Sequence, residues 1–418
     1  MGRERAHLGA NRGPLSAHLR RKGVMRVLVL SSTFPSVKQP TRGVFVLERI
    51  RRLAKRCDVV VAAPVPWFPM NRWIRKERAT VPFLEHQDGL AVYHPRFFSL
   101  PRYGKSFDGV LYFLSLIRFV ARLRRSFPFE VIDAHFAFPD GLAATLLARL
   151  FGCPVVVTLR GSIVRLSGYR LHRPQLRWAL RHADRVTSVS ESLKAVAVGL
   201  GMPADRVRVI PNGVDPTVFS PMLRREARRL CGLPESATVL LTVAGIYEAK
   251  GQHAVVDVLP SLVARYPDAL YVVVGSPRRG EAYERRLEGA IRKLGLDRHV
   301  LFAGPRPQAE LRAWFSAANV SVLATQSEGW PNVLLESLAC GTPVVATRVG
   351  GSPEIVRHGE DGFLVPYGDA AALRDALLRA VEQPWDRDAI VRHAQRFDWT
   401  ESVEQALDEL NAALKRST

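Results

Sequence analysis

Two doubly wound α/β domains facing a central cleft are predicted for this chain, on three observations. Its 418 residues exceed what one hydrophobic core ordinarily serves. Short all-apolar segments alternate with amphipathic ones, the pattern of parallel strands covered on both faces by helices. The alternation breaks once, at Pro211-Asn212-Gly213-Val214-Asp215, where turn chemistry is strong, and then restarts.

In order, residues 1–24 hold Gly, Arg and Asn without an apolar period and read as a tail, with Met25 a second candidate start. Val27–Ser31 is a buried strand, Gly43–Arg56 a helix and Val59–Ala63 a strand. The Pro-, Trp- and Arg-rich segment Pro64 to Pro82 reads as a loop. Leu90–His94 is a strand, Gly109–Arg125 a helix, Val131–His135 a strand, Gly141–Phe151 a helix and Val155–Leu159 a strand. Arg173–His182, Val186–Val189, Glu191–Gly199 and Val207–Ile210 continue the alternation. After the break comes a charged helix, Arg224–Leu230, and then Val239–Val243, His253–Arg265, Leu270–Val274, Tyr283–Leu294 and Val300–Phe302. Ala309–Ser316, Val320–Leu323, Asn332–Ala339, Val344–Thr347, Phe363–Val365 and Ala370–Val381 complete the pattern. The expected domains are 25–213 and 214–394, with 395–418 a terminal helix. Such sheets bind ligands outside the carboxyl ends of their strands, so two facing sheets put the site between them.

Hydrophobic content of 47% and charged content of 24% are those of a soluble globular protein. The longest apolar run, Gly109 to Ile117, is too short to span a bilayer. Cys57, Cys153, Cys231 and Cys340 form no Cys-x-x-Cys pair, which argues against a disulfide framework or a zinc site and for a reducing, cytoplasmic setting. Residues 1–130 carry 25 Lys/Arg against 8 Asp/Glu, so most of the net charge of +21 lies in the first third. No nucleic-acid-binding motif accompanies it, and no nucleic-acid partner is expected. An anionic membrane surface is the partner the charge fits, with Trp67-Phe68-Pro69-Met70-Asn71-Arg72-Trp73-Ile74-Arg75-Lys76 as an interfacial anchor. An Arg-rich but fully solvated surface is the competing account, and Arg outnumbers Lys 51 to 9. Gly275 and Gly280 have P-loop spacing, but Glu281-Ala282 follows where Lys-Ser/Thr is needed. Asp386-Arg387-Asp388 sits at a helix start, where capping explains it better than metal binding.

Glu328-Gly329-Trp330-Pro331-Asn332-Val333-Leu334-Leu335-Glu336 is the most informative segment. Pro331 suits the first helical position, because its missing N–H would be unpaired there anyway. Glu328 then lies in the loop before a helix N-terminus, and Glu336 lies a little over one turn inside. The free N–H groups and partial positive charge of such an end suit phosphate. A carboxylate beside it can accept from sugar hydroxyls, and one further in from a ribose. Together these describe a nucleotide sugar, although either Glu alone reads more readily as a cap than as a ligand.

The segment resembles the donor-binding Glu-x7-Glu motif of the retaining glycosyltransferase family 4, and the N-terminal Ser31–Val46 stretch resembles its exopolysaccharide and teichuronic-acid branch. The resemblance implies a GT-B fold, with a last helix, entered at Phe397-Asp398-Trp399, crossing back to the first domain. It implies metal-independent transfer of a hexosyl unit, with retention, from a nucleotide diphosphate sugar to a glycan or lipid-linked acceptor, and no bound cofactor. UDP, GDP and ADP remain open as the nucleotide, as does the oligomeric state. By resemblance, Glu328, Gly329, Trp330, Pro331, Asn332, Val333 and Glu336 hold the donor, and Gly43 lets the backbone approach the diphosphate. His135 matches the second residue of the family's His-x-His region, which contacts the transferred sugar, while Asp133 replaces the first. Arg160 stands in the Thr-x-Gly-Ser-like loop where His is common. Lys250 matches one of two diphosphate cations, and Gly245 replaces the other, leaving Arg160, Arg278 and Arg306 as substitutes. A nucleotide-sugar epimerase or hydrolase on the same fold, or a non-catalytic polysaccharide-assembly scaffold, are the alternatives.

Overall fold

The computed structural model describes residues 23–69, 80–100, 102–277 and 282–417. The expected tail up to residue 22, residues 70–79 of the Trp-rich segment and Arg278 lie outside the described residues.

The first sheet takes β1 (Arg26–Leu30), β2 (Asp58–Ala62), β4 (Leu84–Gln87), β5 (Leu90–Tyr93), β7 (Val131–His135), β8 (Val155–Leu159), β9 (Arg185–Ser188) and β10 (Val207–Val209). Their order is β10-β9-β8-β7-β1-β2-β5-β4, parallel except for the antiparallel edge strand β4. Between them run α1 (Val44–Leu53), α2 (Asp108–Ser126), α3 (Leu142–Phe151), α4 (Ser162–Leu166), α5 (His172–His182) and α6 (Glu191–Gly199). The all-apolar reading of β1 has a direct cause in burial on both faces. Leu28 and Leu30 pack with Tyr112 and Leu116 of α2 on one side, and Val27 and Val29 with Val46 and Ile50 of α1 on the other.

The second sheet is β13-β12-β11-β14-β15-β16, all parallel. It is built from β11 (Val239–Val243), β12 (Leu270–Val274), β13 (Val300–Gly304), β14 (Val320–Leu323), β15 (Val344–Thr347) and β16 (Gly362–Val365). Its helices are α7 (Arg224–Cys231), α8 (Gln252–Arg265), α9 (Tyr283–Lys293), α10 (Gln308–Ala317), α11 (Asn332–Ala339), α12 (Ser352–Ile355), α13 (Ala370–Glu382) and α14 (Arg387–Ala394). Asp386 caps α14 by accepting from the Ala389 amide at 2.8 Å, so the Asp-x-Asp there is a helix start. The last helix, α15 (Trp399–Ser417), returns to the first sheet, where Val403, Leu407 and Leu410 join Val27 and Val29.

Two expectations need correction. The segment after Pro64 is not wholly a loop: β3 (Val65–Trp67) pairs in parallel with β6 (Arg96–Phe98), and neither strand, nor β4, was expected. Three-residue strands, one containing Pro66, carry no usable period. Pro331 stands outside α11 with ψ 88°, so the helix starts at Asn332 rather than at Pro331.

In each sheet the strand order reverses once beside a central strand, between β1 and β7 and between β11 and β14. Ligands of open α/β sheets bind at such switch points. At these ends lie the Ser31–Gly43 loop and His135, the last residue of β7, from one sheet, and the loops carrying Lys250 and Glu328 from the other.

Candidate active site

Gly43 opens α1 at φ 74°, the left-handed region that favours glycine. A Cβ there would meet the Thr33 carbonyl oxygen at 2.3 Å, so only Gly lets the β1–α1 loop fold back over the helix start. Opposite, Gly329 abuts Gly161, where a Cβ would lie 2.7 Å from the Gly161 amide nitrogen. The loops after β8 and β14 therefore touch backbone to backbone and form the floor of the cleft.

Lys250, from the loop after β11, ion-pairs with Glu328, from the loop after β14. Burial disfavours the Lys250 ammonium, but Glu328 more than compensates and raises its pKa, so the ammonium is held charged. The structure thus joins two residues that lie 78 positions apart.

Glu336 lines a cavity of about 250 Å³ between the two halves, together with Glu48, Asp215, Arg306, Asn332 and Val333. Burial, and then the nearby Glu48 carboxylate, push the Glu336 carboxyl up to about 8. Glu48 itself is held by Arg51 at 2.7 Å and Arg52 at 2.5 Å on the next turn of α1. Asp215 is likewise paired with Arg51 at 3.1 Å and with Arg52, so this end of the cleft mixes carboxyl groups with guanidiniums. Its carboxyl groups can accept from hydroxyls, whereas positive charge is offered elsewhere in the cleft, by the Lys250 ammonium and the N-terminus of α11.

His135 and Arg160 are both sealed, at 0% and 3% exposure. A guanidinium only donates, so Arg160 Nη2, 3.1 Å from His135 Nδ1, makes that nitrogen the acceptor and leaves the ring proton on Nε2. Nε2 faces Asp133 Oδ2 at 3.3 Å. Burial holds His135 neutral by lowering its pKa, with Asp133 opposing. Arg160 also donates to Asn212 Oδ1 at 3.3 Å and lies over the Phe45 ring at 4.9 Å. Neither residue is laid open to the cleft. Trp330 is likewise buried, packed on Phe397 at 5.6 Å, and anchors its loop.

Sequence reasoning missed Glu48, Arg49, Asp215 and Asn212. Arg49 is fully buried in α1 and donates to the Ile210 carbonyl at 3.0 Å, to Ser402 Oγ at 3.3 Å and to Asn212 Oδ1 at 3.5 Å. It ties α1, the interdomain turn and α15 together. The spacing of Glu48 from Arg51 and Arg52 was a readable signal, since side chains three and four apart meet on a helix. For Arg49 there was none.

Comparison with known proteins decides the family. Residues 43–218 match the family model described as Glycosyltransferase Family 4, and residues 224–397 match that of Glycosyl transferases group 1. A D-inositol 3-phosphate glycosyltransferase of Acidothermus cellulolyticus is 37% identical over 306 residues, 68% of each chain. The chain belongs to glycosyltransferase family 4. Another family 4 relative of the same description, from Thermobispora bispora, is 29% identical over 95% of this chain and 97% of its own. The fold is GT-B. HepE of Anabaena, solved in complex with UDP, superposes with a TM-score of 0.71 at 21% identity, over 93% of this chain and 100% of that one. Sucrose-phosphate synthase of Thermosynechococcus elongatus gives 0.72 at 22% identity, over 94% and 97%. At such identities these two structures speak for the fold alone.

Proposed function

We propose that this family 4 glycosyltransferase moves a hexosyl unit from a nucleotide diphosphate sugar to a hydroxyl of a glycan or lipid-linked acceptor, with retention and without a metal. The observation that carries the reading is the cleft itself. It has a cation–carboxylate pair, Lys250–Glu328, at one end and the Glu336 cavity at the other, both at strand carboxyl ends. Glu336 accepts from the ribose, Lys250 neutralises the diphosphate, and Glu328 turns to the transferred sugar as the ion pair opens. Gly43 admits the diphosphate to the α1 amides. Of the three substitutes for the cation missing at Gly245, Arg306 is the one in the wall of the Glu336 cavity, where it pairs with Glu310 at 3.8 Å. His135 and Arg160 act from beneath, positioning the cleft floor through Asn212. In the reaction the bond from sugar C1 to the phosphate oxygen breaks and one to the acceptor oxygen forms on the same face. The acceptor proton passes to the departing phosphate, and the protein's work is positioning and charge stabilisation. Domains at 25–213 and 214–394, with 395–418 crossing back, fit the two sheets. Polysaccharide assembly at the inner face of a membrane is the setting this reading implies.

A second acceptor class, a phosphorylated polyol, is favoured by the description its relatives carry. The deciding experiment incubates the protein with UDP-, GDP- and ADP-hexoses and either polyprenyl-linked sugars or inositol phosphates, and follows nucleoside diphosphate release. Release that requires one acceptor class assigns it. Release without acceptor makes the protein a hydrolase, and none with any pair removes the transferase reading.

A further inference from the structure

We infer that one face of α2 is a docking surface for an anionic lipid bilayer. Phe107, just before the helix, and Val110 and Leu114 within it are 59%, 42% and 56% exposed. Arg118, Arg122 and Arg125 are exposed in the continuing turns. These six positions are spaced three or four apart, so they form one stripe about 27 Å long, apolar at its start and cationic at its end. Among the described residues none of the three guanidiniums has an ion-pair partner, although the chain makes many such pairs elsewhere. The apolar end widens onto the small sheet. Trp67 and Phe98, both exposed, lie 6.4 Å apart, and the Phe98 amide donates to Ser115 Oγ of α2 at 3.2 Å.

The charge and the apolar surface together select the occupant. Exposed aromatic and aliphatic side chains beside arginines suit a bilayer interface, with the rings at headgroup depth and the guanidiniums on lipid phosphates. A nucleic acid would leave the apolar half idle, and a second copy of this chain would set arginines against arginines if parallel or against the apolar end if antiparallel. The surplus of positive charge over residues 1–130 supplies the longer-range attraction.

The placement joins this surface to the cleft. The start of α2 rests on the segment that follows His135, with Tyr112 donating to Asp140 at 3.0 Å and Gly109 against Phe138 and Leu142. His135 ends β7 at the cleft, so the apolar end of the stripe is its cleft end. A bilayer seated there presents a membrane-borne acceptor beside the loops that hold the donor. The inference rests on the lipid-linked acceptor reading for its purpose, not for its geometry.

The test uses the full chain and vesicles of phosphatidylcholine, alone or with one third phosphatidylglycerol, without donor or acceptor. Co-sedimentation should require phosphatidylglycerol and weaken with salt. Arg118→Glu/Arg122→Glu should lower affinity about thirtyfold or more, at roughly fivefold per cation lost. Val110→Ser/Leu114→Ser should abolish the fraction that stays bound at high salt. Arg292→Glu/Lys293→Glu, the same charge change on exposed positions of α9, should bind as wild type. Thermal melts and nucleoside diphosphate binding, measured without vesicles, should be unchanged in all variants. Lost nucleotide binding in the wild type would count against the transferase reading and not against this surface. The inference is overturned if the wild-type protein stays in the supernatant, if both α2 variants bind like wild type, or if they only convert a dimer to a monomer in sedimentation velocity.

Discussion

Asn212 Nδ2 donates to Asn332 Oδ1 at 3.1 Å, joining the interdomain turn to the first residue of the helix that carries Glu336. Asn212 Oδ1 accepts from Arg160 and from Arg49. One amide thus connects the sealed His135–Arg160 pair to the donor-side helix.

This hydrogen bond can be tested by its polarity. Asn212→Asp keeps the acceptor for both arginines, and a flipped Asn332 amide can donate to it. Asn332→Asp keeps Asn212 as donor. Each single variant should therefore stay near wild type in denaturant melts. Asn212→Asp/Asn332→Asp sets two carboxylates face to face with no donor. It should show a coupling of about 1–3 kcal/mol beyond the sum of the singles. Additive effects would mean that the contact contributes nothing.

The Lys250–Glu328 pair predicts coupled kinetics. Lys250→Ala should reduce kcat/KM by ~10- to 150-fold, the cost of losing a charge-assisted hydrogen bond of roughly 1.5–3 kcal/mol. The exposed Lys293→Ala is the matched control and should change little. Glu328→Ala should lower kcat chiefly, and the double variant should be less impaired than the two effects combined, because each residue holds the other. Equal and small effects of Lys250→Ala and Lys293→Ala would place the diphosphate elsewhere.

Glu336 predicts a pH dependence with a definite sign. Its folded carboxyl is raised from 4.5 to about 8, so the folded state holds a proton that the unfolded state releases. Stability attributable to this group therefore falls as pH rises from about 4.5 through about 8. Glu336→Gln keeps the shape and removes the titration, so it should gain on wild type across that window in urea melts taken at successive pH values. Glu336→Ala should weaken nucleoside diphosphate binding by about 0.5–1.5 kcal/mol near neutral pH, where this carboxyl is protonated, read by calorimetry. A wild-type slope that survives in Glu336→Gln would assign the pH dependence to another group.

Most of the strand and helix order was legible because hydrophobic periodicity is local. Val27–Leu30, Val155–Leu159 and Val239–Val243 reveal burial on both faces from their own composition. The placement of Lys250, His135 and Glu328 at or just after the carboxyl ends of strands was legible too, since a parallel sheet collects such ends along one edge. What only the tertiary structure decided is which groups face each other and which lose water. Arg49 meets Asn212 across 163 positions, and Arg160 turns inward to His135 rather than out to the cleft. Glu336 comes to face Glu48, and its proton affinity follows from burial first and then from that neighbour. Desolvation and Coulomb energies depend on distances set by the docking of one sheet's helices on the other's, and no local pattern of residues encodes them.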